Sequence, residues 1–119
     1  MKTNIPTEHE EQIVFIQWLR LSKIFHFAVV NENQQSSNNK FMTIKTAQKH
    51  KKAGRLSGVS DVIVMLPDII LFIEMKRIKG GVQSRSQKEF EKNVEQFKYA
   101  YYFVANGSKE AIEIVNKFR

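Results

Sequence analysis

The chain has 119 residues, a formal charge of +7 and no cysteine. That length allows one domain around one core, and the missing thiols exclude disulfides and thiolate zinc sites. The basic surplus, with a pI near 9.7, favours a polyanionic partner: nucleic acid first, an anionic membrane second.

Ile5-Pro6-Thr7 opens the first predicted helix, with Thr7 and Glu10 at the spacing of a capping box. Ile13, Val14, Phe15, Ile16, Trp18 and Leu19 follow, apolar almost all round, which predicts burial on more than one side. Residues 25–30 are β-branched and aromatic and read as a strand. Residues 31–40 are rich in Asn, Gln and Ser and read as a loop, and residues 43–53 as a second helix ended by Gly54. Residues 61–66 form a strand, Pro67-Asp68 the turn, and residues 69–77 the returning strand. Neither run alternates, as expected of central strands covered on both faces. Beyond the Gly80-Gly81 loop, Ser84 with Gln87, or Ser86 with Glu89, caps a third helix that runs to about residue 98. Residues 101–105 make a fourth strand, Asn106-Gly107-Ser108 a turn and N-cap, and Ala111, Ile112, Val115 and Phe118 one face of a last helix. The order α-β-α-β-β-α-β-α predicts an α/β fold, a mixed sheet with helices on both faces, as one domain over residues 1–119.

His9, His26 and His50 lie far apart with no ligand spacing, so a metal would be held by oxygen, which suits magnesium or manganese. No stretch approaches the roughly 18 consecutive apolar residues of a membrane helix, and the first residues lack the apolar core of a signal peptide. The expectation is a soluble, cytoplasmic protein with no membrane partner and no nucleotide cofactor.

The chemistry concentrates on the central hairpin. Pairing about the Pro67-Asp68 turn sets Asp61 opposite Glu74, on strands roughly 4.8 Å apart. Two carboxylates at that spacing repel unless a cation lies between them. Glu74 and Lys76, two apart on a strand, share a face. Met75 points the other way, although its backbone carbonyl is a candidate metal ligand. A phosphodiester is anionic and repels hydroxide; a cation that offsets this charge and acidifies water is what its hydrolysis requires. Lys76 would orient water and stabilise developing negative charge. Simple ion pairs on a solvated sheet are the ordinary account of acid-x-lysine. Here the flanking runs are the most apolar of the chain, so charges at their ends need partners. Glu8 and Gln12, i and i+4 on the first helix, share a face and are candidates to complete the site, with Glu11 close by. Acids at a helix start also complement its dipole, which suits Glu10 best. Gln87 is either a site residue or the capping partner of Ser84.

Lys40, Lys45, Lys49, His50, Lys51, Lys52 and Arg55 precede Asp61, and Arg77, Lys79, Arg85 and Lys88 follow Lys76. Two basic segments flanking an acidic pair suit phosphates steered past a metal, with Lys45, Lys49, Lys51, Lys52, Arg55, Arg77, Lys79 and Arg85 as DNA-binding candidates. Asn31, Asn33, Gln34 and Gln35 would add uncharged backbone contacts. No base-reading motif is present, so shape is the expected basis of recognition.

Glu8-x-x-x-Gln12, Gly58-Val59-Ser60-Asp61, Glu74-Met75-Lys76 and Ser84-x-x-Gln87 together resemble the VRR-NUC family of PD-(D/E)xK nucleases, in order and spacing over nearly the whole chain. The closest likeness is to the small stand-alone members of phages and bacteria. The resemblance implies a restriction-endonuclease-like fold, metal ligation by Asp61 and Glu74, and a catalytic role for Lys76. Glu8 matches the family's first-helix glutamate, with Gln12 one turn later, and Gln87 the glutamine that opens a later helix. It also implies a homodimeric endonuclease that cuts four-way (Holliday) DNA junctions in a bacterial or phage-infected cell. The larger Fanconi-associated relative, which acts on flaps, has extra domains for which this chain has no room. Trp18, Tyr99, Tyr101 and Tyr102, if exposed, are candidates for the dimer interface. Ser60 stands where the family often has proline, and the polar segment 31–40 differs from the shorter Gly-rich one expected there. A flap or restriction-like nuclease, a non-catalytic DNA-binding module, or a structural part of a nucleoprotein complex are the competing readings.

Overall fold

The computed structural model describes residues 4–30, 48, 49 and 51–119. Helix α1 spans Glu8–Leu21, strand β1 His26–Ala28, β2 Val62–Met65 and β3 Ile70–Lys76; helix α2 spans Arg85–Val94, strand β4 Ala100–Asn106 and helix α3 Ser108–Phe118. The sheet runs β1-β2-β3-β4. β2 is antiparallel to both β1 and β3, and β4 lies parallel to β3. The expected mixed α/β sheet with helices on both faces is what forms. Loop 31–40, Lys40, Lys45, His50 and most of the helix expected at 43–53 lie outside the described residues; residues 48, 49, 51 and 52 are helical.

One face of the sheet holds the main core. Leu71, Ile73 and Met75 of β3, with Val62, Val64 and Ala105, pack against Phe15 and Leu19 of α1 and Ala111, Ile114 and Val115 of α3. Burying each large side chain contributes about 1.5–3 kcal/mol. On the opposite face α2 lays Phe90 across β3 and β4, edge-on to Phe72 at 5.5 Å and to Tyr102 at 6.0 Å. Glu74 and Lys76 share the side of β3 that carries Phe72, so the charged face is the one that α2 covers.

Local signals account for most boundaries. The Thr7–Glu10 capping box is present in both directions, and so is that of Ser84 and Gln87. Ser86 and Glu89, the alternative pair, sit inside α2, with Glu89 3.6 Å from Arg85. Tertiary constraints shift two expectations. α1 buries one side only, through Glu11, Phe15 and Leu19, and leaves Ile13 and Val14 nearly half exposed, because the sheet and α3 lie on a single flank. α2 stops at Val94, four residues short of expectation, because β4 must enter the sheet level with Ile70 at Ala100. The intervening turn is closed by Phe97 N–H to Val94 C=O and Ile70 N–H to Tyr99 C=O. The N-cap of α3 is Gly107, which supplies no side-chain bond. None of the described helices is long and apolar enough to cross a membrane.

Of the four aromatics suggested for a dimer interface, Tyr102 is buried under α2. Trp18 is half-buried, stacked on Phe15 with the Arg119 guanidinium 5.2 Å from its ring. Tyr99 and Tyr101 are exposed.

Candidate active site

The hairpin register is the expected one. Val62 pairs with Ile73 and Met65 with Ile70, which sets Asp61 across from Glu74. Asp61 is fastened by its Oδ2, which accepts the Met75 backbone N–H at 2.8 Å. In an extended strand the N–H and C=O of one residue face the same neighbour, so the Met75 carbonyl also lies on the Asp61 side. The Met75 side chain is fully buried in the core.

Glu8, from the first turn of α1, joins this pair. Glu8, Asp61 and Glu74 each offer one carboxylate oxygen, and these oxygens lie within 4.8 Å of one another. Three acids so close need a compensating charge. Burial first, then the adjacent Asp61 carboxylate, push the Glu74 carboxyl up to about 9; Lys76 opposes the shift and Glu8 adds to it. Glu74 Oε1 is buried without a hydrogen-bond partner among the described residues. An all-oxygen donor set with a buried, unpartnered carboxylate oxygen fits a hard divalent cation.

The other Glu74 oxygen is tied down. Gln87 Nε2 donates to Oε2 at 2.8 Å, while Gln87 Oε1 accepts from Lys76 Nζ at 3.1 Å and from Ser84 N–H at 2.8 Å. Gln87 therefore both closes the capping box of α2 and hydrogen-bonds Glu74 and Lys76 of β3. Lys76 Nζ stands 3.7 Å from Glu74 Oε2, on a side chain only 8% exposed.

Two glycines make this approach possible. Gly58 has φ +78°, and a Cβ there would lie 2.3 Å from the Ser86 carbonyl carbon and oxygen and 2.7 Å from Gln87 N. The start of α2 thus rests on the backbone that leads into Asp61. A Cβ at Gly81 would meet the Lys76 side chain at 2.7 Å, so a bare backbone covers the lysine stem. Neither contact was anticipated; the signal was a glycine three residues before Asp61 and another in the loop before Ser84.

Glu11 does not join the cluster. It is 6% exposed, and its Oε1 accepts the Ser108 N–H at the start of α3 at 2.9 Å. Gln12 is half-buried on α1. Ser60, at the position where proline was expected, is fully buried, and its hydroxyl has no partner among the described residues.

Of the basic candidates, Lys49, Lys51 and Lys52 are exposed on the helical turn before Gly54, and Arg77 and Lys79 are exposed just past β3. Arg85 is exposed and paired with Glu89. Arg55 is half-buried and donates to the Val30 carbonyl at 2.7 Å.

Sheet and helices together define a mixed four-stranded α/β fold. A solved structure described as "VRR_NUC domain protein" matches it with a TM-score of 0.74 over 97% of this chain and 89% of that one, at 21% identity. The chain therefore has the VRR-NUC fold. No protein-family model and no curated protein matches its sequence.

Proposed function

We propose that the chain is a magnesium- or manganese-dependent endodeoxyribonuclease that hydrolyses phosphodiester bonds in branched DNA, with the four-way junction as preferred substrate and a homodimer as the working form. The observation that carries the reading is the convergence of Glu8, Asp61 and Glu74 from three separate elements, beside an ammonium held on the same strand face. The VRR-NUC fold and the +7 charge support it.

Glu8, Asp61 and Glu74 would hold the ion, with the Met75 carbonyl as a further oxygen. When bound, the ion supplies Lewis acidity toward the phosphate and toward water. The chain's own groups do the rest. Lys76, kept in place by Gln87, would present positive charge to the negative charge that develops on the phosphorane-like oxygens. Lys49, Lys51, Lys52, Arg77 and Lys79 would neutralise phosphates, with Lys45, Arg55 and Arg85 as further contacts. A four-way junction is two-fold symmetric, so a C2 dimer can present one site to each of two strands.

Cleavage of four-way junction, flap and linear duplex, with magnesium or manganese and with chelator, tests the proposal. The junction should be cut in a symmetric pair of strands, only with metal. Asp61→Ala, Glu74→Ala and Lys76→Ala should each lower cutting by about 100-fold or more while junction binding persists. Changing Lys49, Lys51 and Lys52 together to Glu should weaken binding and flatten its salt dependence. Preferred cutting of the flap or the duplex would replace the junction as substrate. Binding with no cleavage under either metal would leave a DNA-binding module.

A further inference from the structure

Glu11 is a buried carboxylate that the proposed chemistry does not use. We propose that it is a positioning residue, which sets the distance of Glu8 from Asp61 and Glu74; the inference rests on the metal-site reading above. Asp61 and Glu74 sit on neighbouring strands in fixed register. Glu8 arrives on a separate helix, so its place depends on where the first turn of α1 lies. The side chains that pack α1 into the core, Phe15 and Leu19, are one and two turns further along. The Thr7–Glu10 capping box is internal to the helix and exposed, so it orders the turn without tying it to the sheet.

Glu11 makes that tie. Its Oε1 accepts Ser108 N–H at 2.9 Å, and the preceding amide, Gly107 N–H, donates to the Lys76 carbonyl at 2.9 Å. Two successive amides at the start of α3 thus link α1 to the strand that carries Glu74 and Lys76. Glu8 and Glu11 are i and i+3 and share a side of the helix, so bracing one braces the other. The start of α3 favours a carboxylate through its free N–H groups and dipole. Gly107 leaves room for it: φ is +99°, and a Cβ there would stand 3.0 Å from Ile78 Cγ1 and 3.5 Å from Glu11 Oε2.

Calorimetric titration of the full chain with manganese, without DNA, tests this. Glu11→Ala should weaken manganese binding about 10-fold or more, and Glu11→Asp, too short to reach Ser108 N–H, should weaken it several-fold. Glu11→Gln keeps an oxygen acceptor and should stay within about 3-fold of the parent. Leu19→Val, which loosens the same helix elsewhere, should lower Tm but leave manganese affinity unchanged. At saturating manganese the cleavage rate of Glu11→Asp should stay near that of the parent, since Glu11 touches no reacting group. Unchanged manganese affinity in Glu11→Ala or Glu11→Asp, or an equal loss in Leu19→Val, would overturn the positioning role while leaving the metal site intact. A parent chain that binds no manganese would remove the metal site, and this role with it.

Discussion

Gln87 and Glu74 meet across the face of the sheet, with the glutamine amide donating to the carboxylate at 2.8 Å. The same glutamine caps its own helix and accepts from Lys76. Stability and site geometry therefore pass through one side chain.

Gln87→Ala should lower nuclease activity about 10–100-fold and global stability by on the order of 1 kcal/mol through the lost cap. Ser84→Ala removes the reciprocal cap bond but leaves Gln87 free to bind Glu74. It should cost similar stability and far less activity. Denaturant melts and single-turnover cleavage, run side by side, separate the two effects.

Gly58→Ala should be more harmful than Gly54→Ala. Both glycines have positive φ, but a Cβ at Gly58 meets the Ser86 backbone, whereas one at Gly54 meets nothing within 4 Å among the described residues. The conformational cost alone is about 1–2 kcal/mol for either; steric conflict with backbone adds to it at Gly58 only. Urea midpoints of the two variants should differ clearly, and equal midpoints would refute the close contact.

Without metal, stability should fall as pH rises from about 4.5 toward about 9, the ordinary and folded values for Glu74. Below that window both states hold the proton. Within it the unfolded chain releases the proton while the folded one retains it, so alkali favours unfolding. A bound divalent cation should displace the proton and reduce this slope, and Glu74→Gln should remove it. Tm measured against pH, with and without manganese, reads all three curves.

Ser60→Ala should change stability by no more than about 1 kcal/mol, in the stabilising direction, because the buried hydroxyl has no partner among the described residues to lose. A loss larger than that in equilibrium unfolding would mean that the hydroxyl is satisfied in solution.

Rules that act over a few residues were readable in advance. The Pro67-Asp68 turn sets the pairing that brings Asp61 to Glu74, and the capping spacings of Thr7 with Glu10 and Ser84 with Gln87 mark where two helices begin. Strand periodicity put Glu74 and Lys76 on one face. The turn joining α2 to β4 was misjudged because nothing local ends the helix; the parallel register with Ile70 does.

Local patterns left the choice between Glu8 and Glu11 open, and only the resemblance favoured Glu8. Both are first-turn acids on one helix, and either satisfies the same local patterns. Their roles separate only once α1 lies on the sheet, where Glu8 meets Asp61 and Glu74 and Glu11 meets the start of α3. Helix rotation is a property of packing between distant segments. For that reason the central acid pair follows from linear order, whereas the third carboxylate and its brace exist only in the folded chain.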